Sequence, residues 1–374
     1  MSDSHVLEVV DVVQETPDAH SITFAVPAEL AEQFRYKPGQ FLTLAVPSDQ
    51  TVVAARCYSF SSSPVGDAET VTITVKRTAE GYASNWICDN LVPGSSIRVL
   101  PPSGIFTPAS LDADLLLFAG GSGVTPIMSI TRTALAQGSG RITVFYANRD
   151  EQSVIFAREL TELAAAHPER LHVVHWLESV QGLPTQEQLR SFAADHPGRD
   201  CFTCGPAPFM KLVMSALKEL EIPRELRHQE KFVSLGGNPF GDVVGPHTED
   251  VAAEEIADAE ADAGSADGSD DAAVEPTGPA ATGSVRLEVE LDGETHVFDD
   301  WGDGTSMLEH LEKKGVKAPY SCREGECSAC AVRLLEGEVE MAHNDVLDDD
   351  DLGDGIRLAC QATPTTDVVR ATYS

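Results

Sequence analysis

At 374 residues the chain has material for two or three domains with real hydrophobic cores. Its 26 Lys+Arg against 60 Asp+Glu leave a formal net charge of −34, and the acid is concentrated late: residues 1–231 carry −9, residues 232–283 carry −12 and residues 284–374 carry −13. Such a field repels nucleic acid and anionic membrane and attracts a basic protein face, which excludes nucleic-acid binding and membrane binding as functions.

The first residues, MSDSHVLEVVDVVQETPD, place acids where a secretion signal needs a basic flank and an apolar run. The longest uncharged stretch, Leu115 to Thr131, is broken by Gly120, Gly121, Gly123 and Pro126 and is too short to span a bilayer. A cytoplasmic protein is the expectation. In that compartment clustered thiols read as metal or cluster ligands before disulfides.

Over residues 1–110 the runs SITFAVP, FLTLAVP and TVTITVKR alternate apolar and polar positions between Pro, Gly and Ser, which predicts a small antiparallel barrel or sandwich. From 111 to 236 the rhythm changes. LLLFAG, RITVFYAN, LHVVHW and DCFTCG read as buried strands separated by helices, the pattern of a doubly wound, mostly parallel sheet. One helix is predicted after Asp150 with Val154, Ile155, Leu160 and Leu163 inward. Another begins at Thr185 with Gln188 completing a capping box, and a third follows Pro206.

Residues 237–283 are read as an acidic flexible linker, since 248–283 contain no aromatic, Lys or Arg and bury too little to offset chain entropy. A helical stretch between Val251 and Ala263 is the alternative. Residues 284–374 return to order: VRLEVEL and ETHVFDD flank Asp292-Gly293, a hairpin signal that opens a compact α+β domain.

Three of the eight cysteines fall within nine residues there. Cys322-x4-Cys327-x2-Cys330 is the spacing of plant-type [2Fe-2S] binding and calls for a distant fourth cysteine; Cys360 is the one cysteine downstream. The rival is structural zinc, which favours paired C-x2-C units at both ends, whereas the far end here offers one thiol. The run PYSCREGECSACAVRLLEGEVEM and the later LACQA resemble the ligand loop and fourth-ligand strand of plant-type ferredoxins. The resemblance implies a β-grasp fold with Cys322, Cys327, Cys330 and Cys360 as the cluster ligands.

Upstream, RCYSFSS at 56–62 resembles the Arg-x-Tyr-Ser flavin motif of the ferredoxin–NADP reductase superfamily; alone, so short a motif would pass for a surface turn. VKRTAEGYASNWI at 75–87, FAGGSGVTPIMSI at 118–130 and CFTCGPAPFM at 201–210 resemble that superfamily's next elements, in its order. The glycine loop lacks the third glycine of a dinucleotide fingerprint, yet its glycines and Pro126 suit close backbone approach of a phosphate at a helix start.

The resemblance implies that Arg56, Tyr58, Ser59, Val75, Lys76, Gly81 and Ser84 hold a flavin, with FAD expected rather than FMN. Gly121, Gly123, Thr125, Cys204, Gly205 and Pro206 would hold the nicotinamide nucleotide, with Ser59, Thr125 and Cys204 closest to the reacting rings. In YANRDEQSVIF at 146–156, Arg149 favours a 2′-phosphate while Asp150 and Glu151 repel one, which favours NADH over NADPH. In RHQEKFVSL at 227–235, Glu230 and Phe232 approach the flavin, with Phe232 equally suited to a core. Cys201-x2-Cys204 could be a redox dithiol, but a strand start and a strand end suit it poorly; Cys201, Cys57 and Cys88 are read as small buried hydrophobes.

The whole arrangement is similar to single-chain reductase components of bacterial multicomponent oxygenases. It implies a monomeric NADH-dependent enzyme that passes electrons through FAD and a [2Fe-2S] cluster to a terminal oxygenase, Rieske-type or di-iron, in steroid or aromatic-compound catabolism. A stand-alone flavin-dependent NAD(P)H oxidase or flavin reductase with a structural C-terminal domain is the second reading, and a zinc-bound interaction module on a degenerate flavoprotein the third.

Overall fold

The computed structural model describes residues 4–48, 52–66, 69–79, 81–231, 240, 285–291, 293–302, 304–316, 318–320, 323, 325, 328–347 and 349–373. They fall into two compact units, one holding the elements up to Glu230 and the other those from Val285 on. The expected linker, apart from Phe240, lies outside the described residues, as do its helical alternative, Phe232, Cys322 and Cys327.

The first unit begins with six antiparallel strands: β1 (His5–Thr16), β2 (Ala19–Ala25), β3 (Phe41–Ser48), β4 (Val52–Ser59), β5 (Thr70–Lys76) and β6 (Ser96–Val99). They order as β4-β3-β6-β1-β2-β5. Phe60, just past β4, bridges Ile73 of β5, and the Ser61 amide donates to Thr72 O at 2.9 Å, so the two edge strands meet and the sheet closes. Closure removes the open edges that invite aggregation. Period-two alternation drives it, because Ile22 and Phe24, Leu42 and Leu44, and Val71, Ile73 and Val75 all enter one core. Helix α1 (Tyr82–Asn90) adds Ala83 and Ile87 to that core.

A five-stranded sheet follows: β7 (Leu115–Gly120), β8 (Ile142–Asn148), β9 (Leu171–Leu177), β10 (Asp200–Cys204) and β11 (Arg227–Glu230), every pair parallel, in the order β11-β10-β7-β8-β9. Alternate residues of β7 serve two cores, Leu115, Leu117 and Ala119 on one face and Leu116 and Phe118 on the other. Helices α2 (Val124–Gln137) and α3 (Ala157–Ala166) cover the first face; α5 (Gln186–Ala194) and α6 (Ala207–Glu219) cover the second, with α4 (Glu178–Gln181) a single turn after β9. The sheet is the doubly wound one expected, and its strand order reverses between β7 and β10, the switch point where such sheets bind ligands.

The capping box at Thr185 and Gln188 is present, and α6 starts just after Pro206 with Phe209, Val213 and Leu217 buried. The helix expected at Asp150 is different. Asp150 Oδ1 accepts from the Gln152 and Ser153 amides and caps a lone 3-10 turn, Glu151–Ser153, and α3 begins only at Ala157. Phe156 between them is left-handed at φ 61, which no continuous helix can pass. Val154 and Ile155 are buried all the same, so the apolar pattern reported burial and not helicity.

The second unit is a mixed sheet of β12 (Val285–Leu291), β13 (Glu294–Trp301), β14 (Ala331–Glu336), β16 (Ile356–Leu358) and β18 (Val368–Thr372), ordered β13-β12-β18-β14-β16, with β15 (Val339–Met341) and β17 (Ala362–Pro364) paired beside it. Strands β12 and β18 run parallel and the other pairs antiparallel. Leu291 pairs with Glu294 across the expected hairpin and Gly293 is at φ 80, while Asp292 lies outside the described residues. Helix α7 (Met307–Lys313) seats Met307, Leu308 and Leu311 against Trp301 and the sheet, while α8 (Asp349–Gly353) precedes β16. This is the β-grasp expected. No helix among the described residues is long and apolar enough to cross a membrane.

Candidate functional site

The switch point is built from backbone. After β7 the chain makes one 3-10 turn, Gly121–Gly123, and enters α2. A Cβ on Gly123 would lie 2.2 Å from Cys204 O, and one on Gly205 would lie 2.9 Å from Gly120 Cα. The loop after β7 and the end of β10 therefore touch main chain to main chain, which only glycine permits. Gly121 at φ 51 turns the chain, and Pro206 begins the return into α6. The start of the 14-residue α2 thus lies at this interlock, and the N-terminus of a helix of that length is favourable ground for a phosphate group.

Sheet register brings the expected side chains alongside. Cys204 pairs with Ala119 of β7 and with Glu230 of β11, so three strand ends carry Thr125 (in the first turn of α2), Cys204 and Glu230. All three are buried. Burial pushes the Cys204 thiol far above its usual range, with the neighbouring Glu230 charge adding to it. Burial alone raises the Glu230 carboxyl to about 8. Cys204 is thus a neutral thiol and no nucleophile. Cys201 faces the opposite core with its thiol raised to about 12, so it makes no dithiol with Cys204. Cys88 packs on the barrel core, raised to about 11 by burial, and Cys57 lies 3.4 Å from Thr43 Oγ1.

The Arg-x-Tyr-Ser stretch occupies the last half of β4, with Arg56, Tyr58 and Ser59 opposite Leu44, Leu42 and Phe41 of β3. Burial raises the Tyr58 hydroxyl, and the nearby Arg56 charge partly offsets the shift. The Ser59 hydroxyl is buried with no hydrogen-bond partner among the described residues. An orphaned buried hydroxyl is costly unless a ligand satisfies it, and a flavin edge would do so. Val75 is wholly buried in β5, whereas the Lys76 side chain turns toward the glycine loop, its Nζ 3.9 Å from where a Gly121 Cβ would stand. Gly81 is required by close approach to Thr78, and the Ser84 hydroxyl accepts from the Thr78 amide at 3.0 Å, fixing the turn that starts α1.

Helix α2 ties this stretch to the glycine loop. Ser129 Oγ donates to Ser62 O at 2.6 Å, Ser63 and Thr133 share a hydrogen bond of 3.0 Å, and Arg132 donates to Ser61 O. Arg132 also forks onto Glu159 of α3 and lies over the Phe156 ring. Motif reading missed Arg132; its signal was being the single charge in a helix otherwise buried from Val124 to Leu135. It also missed Asp18, in the turn after β1, which lies 3.8 Å from Lys76 Nζ and 3.5 Å from Arg149. Arg149 follows directly on β8, and Asp150 spends its carboxylate on the capped turn.

In the second unit Cys330 closes a 3-10 turn, Ser328–Cys330, and Cys360 sits between β16 and β17; both are buried, and the Ala359 amide donates to Cys330 O at 3.1 Å. Gln361 Nε2 reaches Cys360 Sγ at 3.7 Å and Arg323 O at 2.8 Å. Arg323, left-handed at φ 65, forks onto Glu312 and lies over the Tyr320 ring. Gly325 at φ 82 passes so near His343 O that a Cβ would lie 2.6 Å from it. Two buried thiols with an amide donor on one sulfur suit a thiolate-held cluster.

Residues 117–215 match the family described as oxidoreductase NAD-binding domain, and residues 289–365 the family described as 2Fe-2S iron-sulfur cluster binding domain. The ferredoxin reductase component of 3-ketosteroid-9-alpha-monooxygenase from Rhodococcus rhodochrous is 49% identical over 372 residues, covering 100% of this chain and 97% of its own. Its counterpart from Mycolicibacterium smegmatis is 52% identical over 375 residues, covering 99% and 98%. Among solved structures, phthalate dioxygenase reductase, described as modular for electron transfer from pyridine nucleotides to [2Fe-2S], aligns over 99% of this chain and 98% of its own with a TM-score of 0.55 at 21% identity, a likeness of fold.

Proposed function

The chain belongs to the family of ferredoxin reductase components of oxygenases, and from that premise we propose that it carries electrons from NADH through FAD and a [2Fe-2S] cluster to the terminal oxygenase of a 3-ketosteroid hydroxylating system. The observation that carries the reading is the interlocked switch point, where Gly123 and Gly205 bring the loop before α2 against the end of β10, together with the orphaned Ser59 hydroxyl at the end of β4. When bound, the flavin supplies the exchange of a hydride for single electrons; the protein supplies binding, orientation and electrostatics.

Arg56, Tyr58, Ser59, Val75, Lys76, Gly81 and Ser84 hold the flavin in this reading, Arg56 through its phosphates. Gly121, Gly123, Gly205 and Pro206 shape the nucleotide crevice, with Arg149 at its adenosine end. Thr125, Cys204 and Ser59 hold the two rings together, and the neutral Cys204 thiol packs without introducing charge. Glu230 is held protonated below about pH 8 and can donate a hydrogen bond there. Phe232 would cover the flavin. Cys322, Cys327, Cys330 and Cys360 ligate the cluster.

The domains run 1–110, 111–236 and 284–374, with 237–283 the linker. In this reading the protein is a cytoplasmic monomer and its acceptor is a terminal oxygenase, Rieske-type or di-iron; the relatives at 47–52% identity are named for the 3-ketosteroid-9-alpha-monooxygenase, which supports a steroid oxygenase as that acceptor. The test combines the purified chain with that oxygenase, NADH and a 3-ketosteroid. Hydroxylated steroid formed in step with NADH consumption is the expected result. NADH consumption that yields only peroxide, with every oxygenase tried, would overturn the reading in favour of a stand-alone oxidase.

A further inference from the structure

We propose that Asp18, carried by the barrel, selects against 2′-phosphorylated dinucleotides by holding Arg149 of the parallel sheet in an ion pair. This rests on the nucleotide reading of the switch point. There the pyrophosphate sits over the start of α2, and the adenosine half extends across the neighbouring strand end. On the β10 side Cys204 and Gly205 fill the space against Gly123, which leaves the end of β8. Arg149 is the first residue past that end, and a guanidinium there is the natural receptor for a 2′-phosphate.

The receptor is already engaged. Asp18 Oδ2 lies 3.5 Å from Arg149 and 3.8 Å from Lys76 Nζ, so one carboxylate oxygen pairs with both cations and offsets part of their charge. Its orientation is built in. Thr16 Oγ1 donates to Asp18 Oδ1 at 2.7 Å, and the Arg77 amide donates to Asp18 O at 2.7 Å, pinning the turn to the end of β5. Pairs this exposed add little to folding. What they decide is the charge an incoming ligand meets: a 2′-phosphate at Arg149 would stand beside a carboxylate and have to displace it, whereas a 2′-hydroxyl meets no such repulsion. Asp150, the acid next to Arg149 in sequence, is occupied as a cap on Gln152 and Ser153. Discrimination therefore comes from a residue on another element, far away in the chain.

The experiment measures Kd by calorimetry for 5′-AMP and 2′,5′-ADP on the FAD-loaded full chain. The variants are Asp18→Asn, which keeps the oxygen that accepts from Thr16, Asp18→Glu, which keeps the charge, and D18N/R149Q. Asp18→Asn should shift the ratio of the two constants about tenfold toward 2′,5′-ADP at low salt, with the shift collapsing near 0.5 M salt. D18N/R149Q should abolish the shift and Asp18→Glu should not produce it. A D18N ratio within about twofold of the parent, a shift that persists in D18N/R149Q, or an equal shift in Asp18→Glu would overturn the assignment. If the parent neither binds 5′-AMP nor has its flavin bleached by NADH, the nucleotide reading itself falls; NADH bleaching with an unmoved D18N ratio removes the Asp18 inference alone.

Discussion

The switch point of the first unit and the cysteine loop of the second are built on opposite principles. At the switch point the arrangement depends on atoms that are missing: Gly120, Gly123 and Gly205 bring two main chains into contact beside the start of α2. In the cysteine loop the proposed binding relies on atoms that are present, the buried thiols of Cys330 and Cys360 with Gln361 donating to one sulfur. A site made of backbone should be injured by adding a methyl group, and one made of side chains by removing a single atom type.

The largest effect should follow from that second kind of injury. Cys360→Ser replaces a soft thiolate with a poor ligand, so the cluster absorption should vanish and oxygenase-coupled turnover should fall by at least about a hundredfold. Reduction of the flavin by NADH, followed in the same sample, should persist. Chelation of iron from the parent should give the same split, and loss of both activities together would break the comparison.

Gly123→Ala is the matching injury by addition. Its Cβ would be 2.2 Å from Cys204 O, so the loop or β10 must move. A displacement of about 1 Å near reacting groups can slow a reaction on the order of a hundredfold. Stopped-flow flavin reduction should show a loss of that size, while the cluster spectrum stays intact.

Glu230 gives a pH test confined to the first unit. Its folded carboxyl is raised to about 8 by burial from an ordinary 4.5, so between these values the folded chain keeps a proton that the unfolded chain releases. Stability from this group is present below about pH 4.5 and is lost as pH climbs toward 8, by an amount on the order of a few kcal/mol. Glu230→Gln removes the dependence. Urea unfolding followed by flavin fluorescence should show the variant gaining on the parent from pH 5 to 8 and no further above; a constant difference would contradict the burial of an ionisable group there.

Arg132→Gln should come next, at about 2 kcal/mol in the same unfolding assay, because it removes a charge-assisted bond to Ser61 O and the fork onto Glu159. The smallest change is Ser306→Ala in the second unit, which breaks the capping box with Glu309 at the start of α7 and should cost about 1 kcal/mol. The cluster spectrum should survive it.

The same contrast explains what could be read from the chain alone. Thiol ligands announce themselves because Cys322, Cys327 and Cys330 are close in sequence and thiols are scarce. The barrel and the two sheets were legible from alternation and from buried runs, since those patterns record which face is inside. The segment after Asp150 shows where this fails. Val154, Ile155 and Leu160 carry a helical spacing, but the Asp150 cap and the left-handed Phe156 set the backbone, and neither leaves an apolar trace. The glycine loop and Cys204 could be named, but their main-chain interlock needs both strands in place. Asp18 carried no motif signal, since its partners Lys76 and Arg149 stand at and just past the ends of distant strands.

The most direct test of the central claim is an anaerobic absorption titration of the purified chain with NADH. The account predicts flavin bands and a broad cluster shoulder that both bleach, in the ratio of one NADH to two electrons stored. Bleaching of flavin bands alone, with zinc in place of iron by metal analysis, would contradict it.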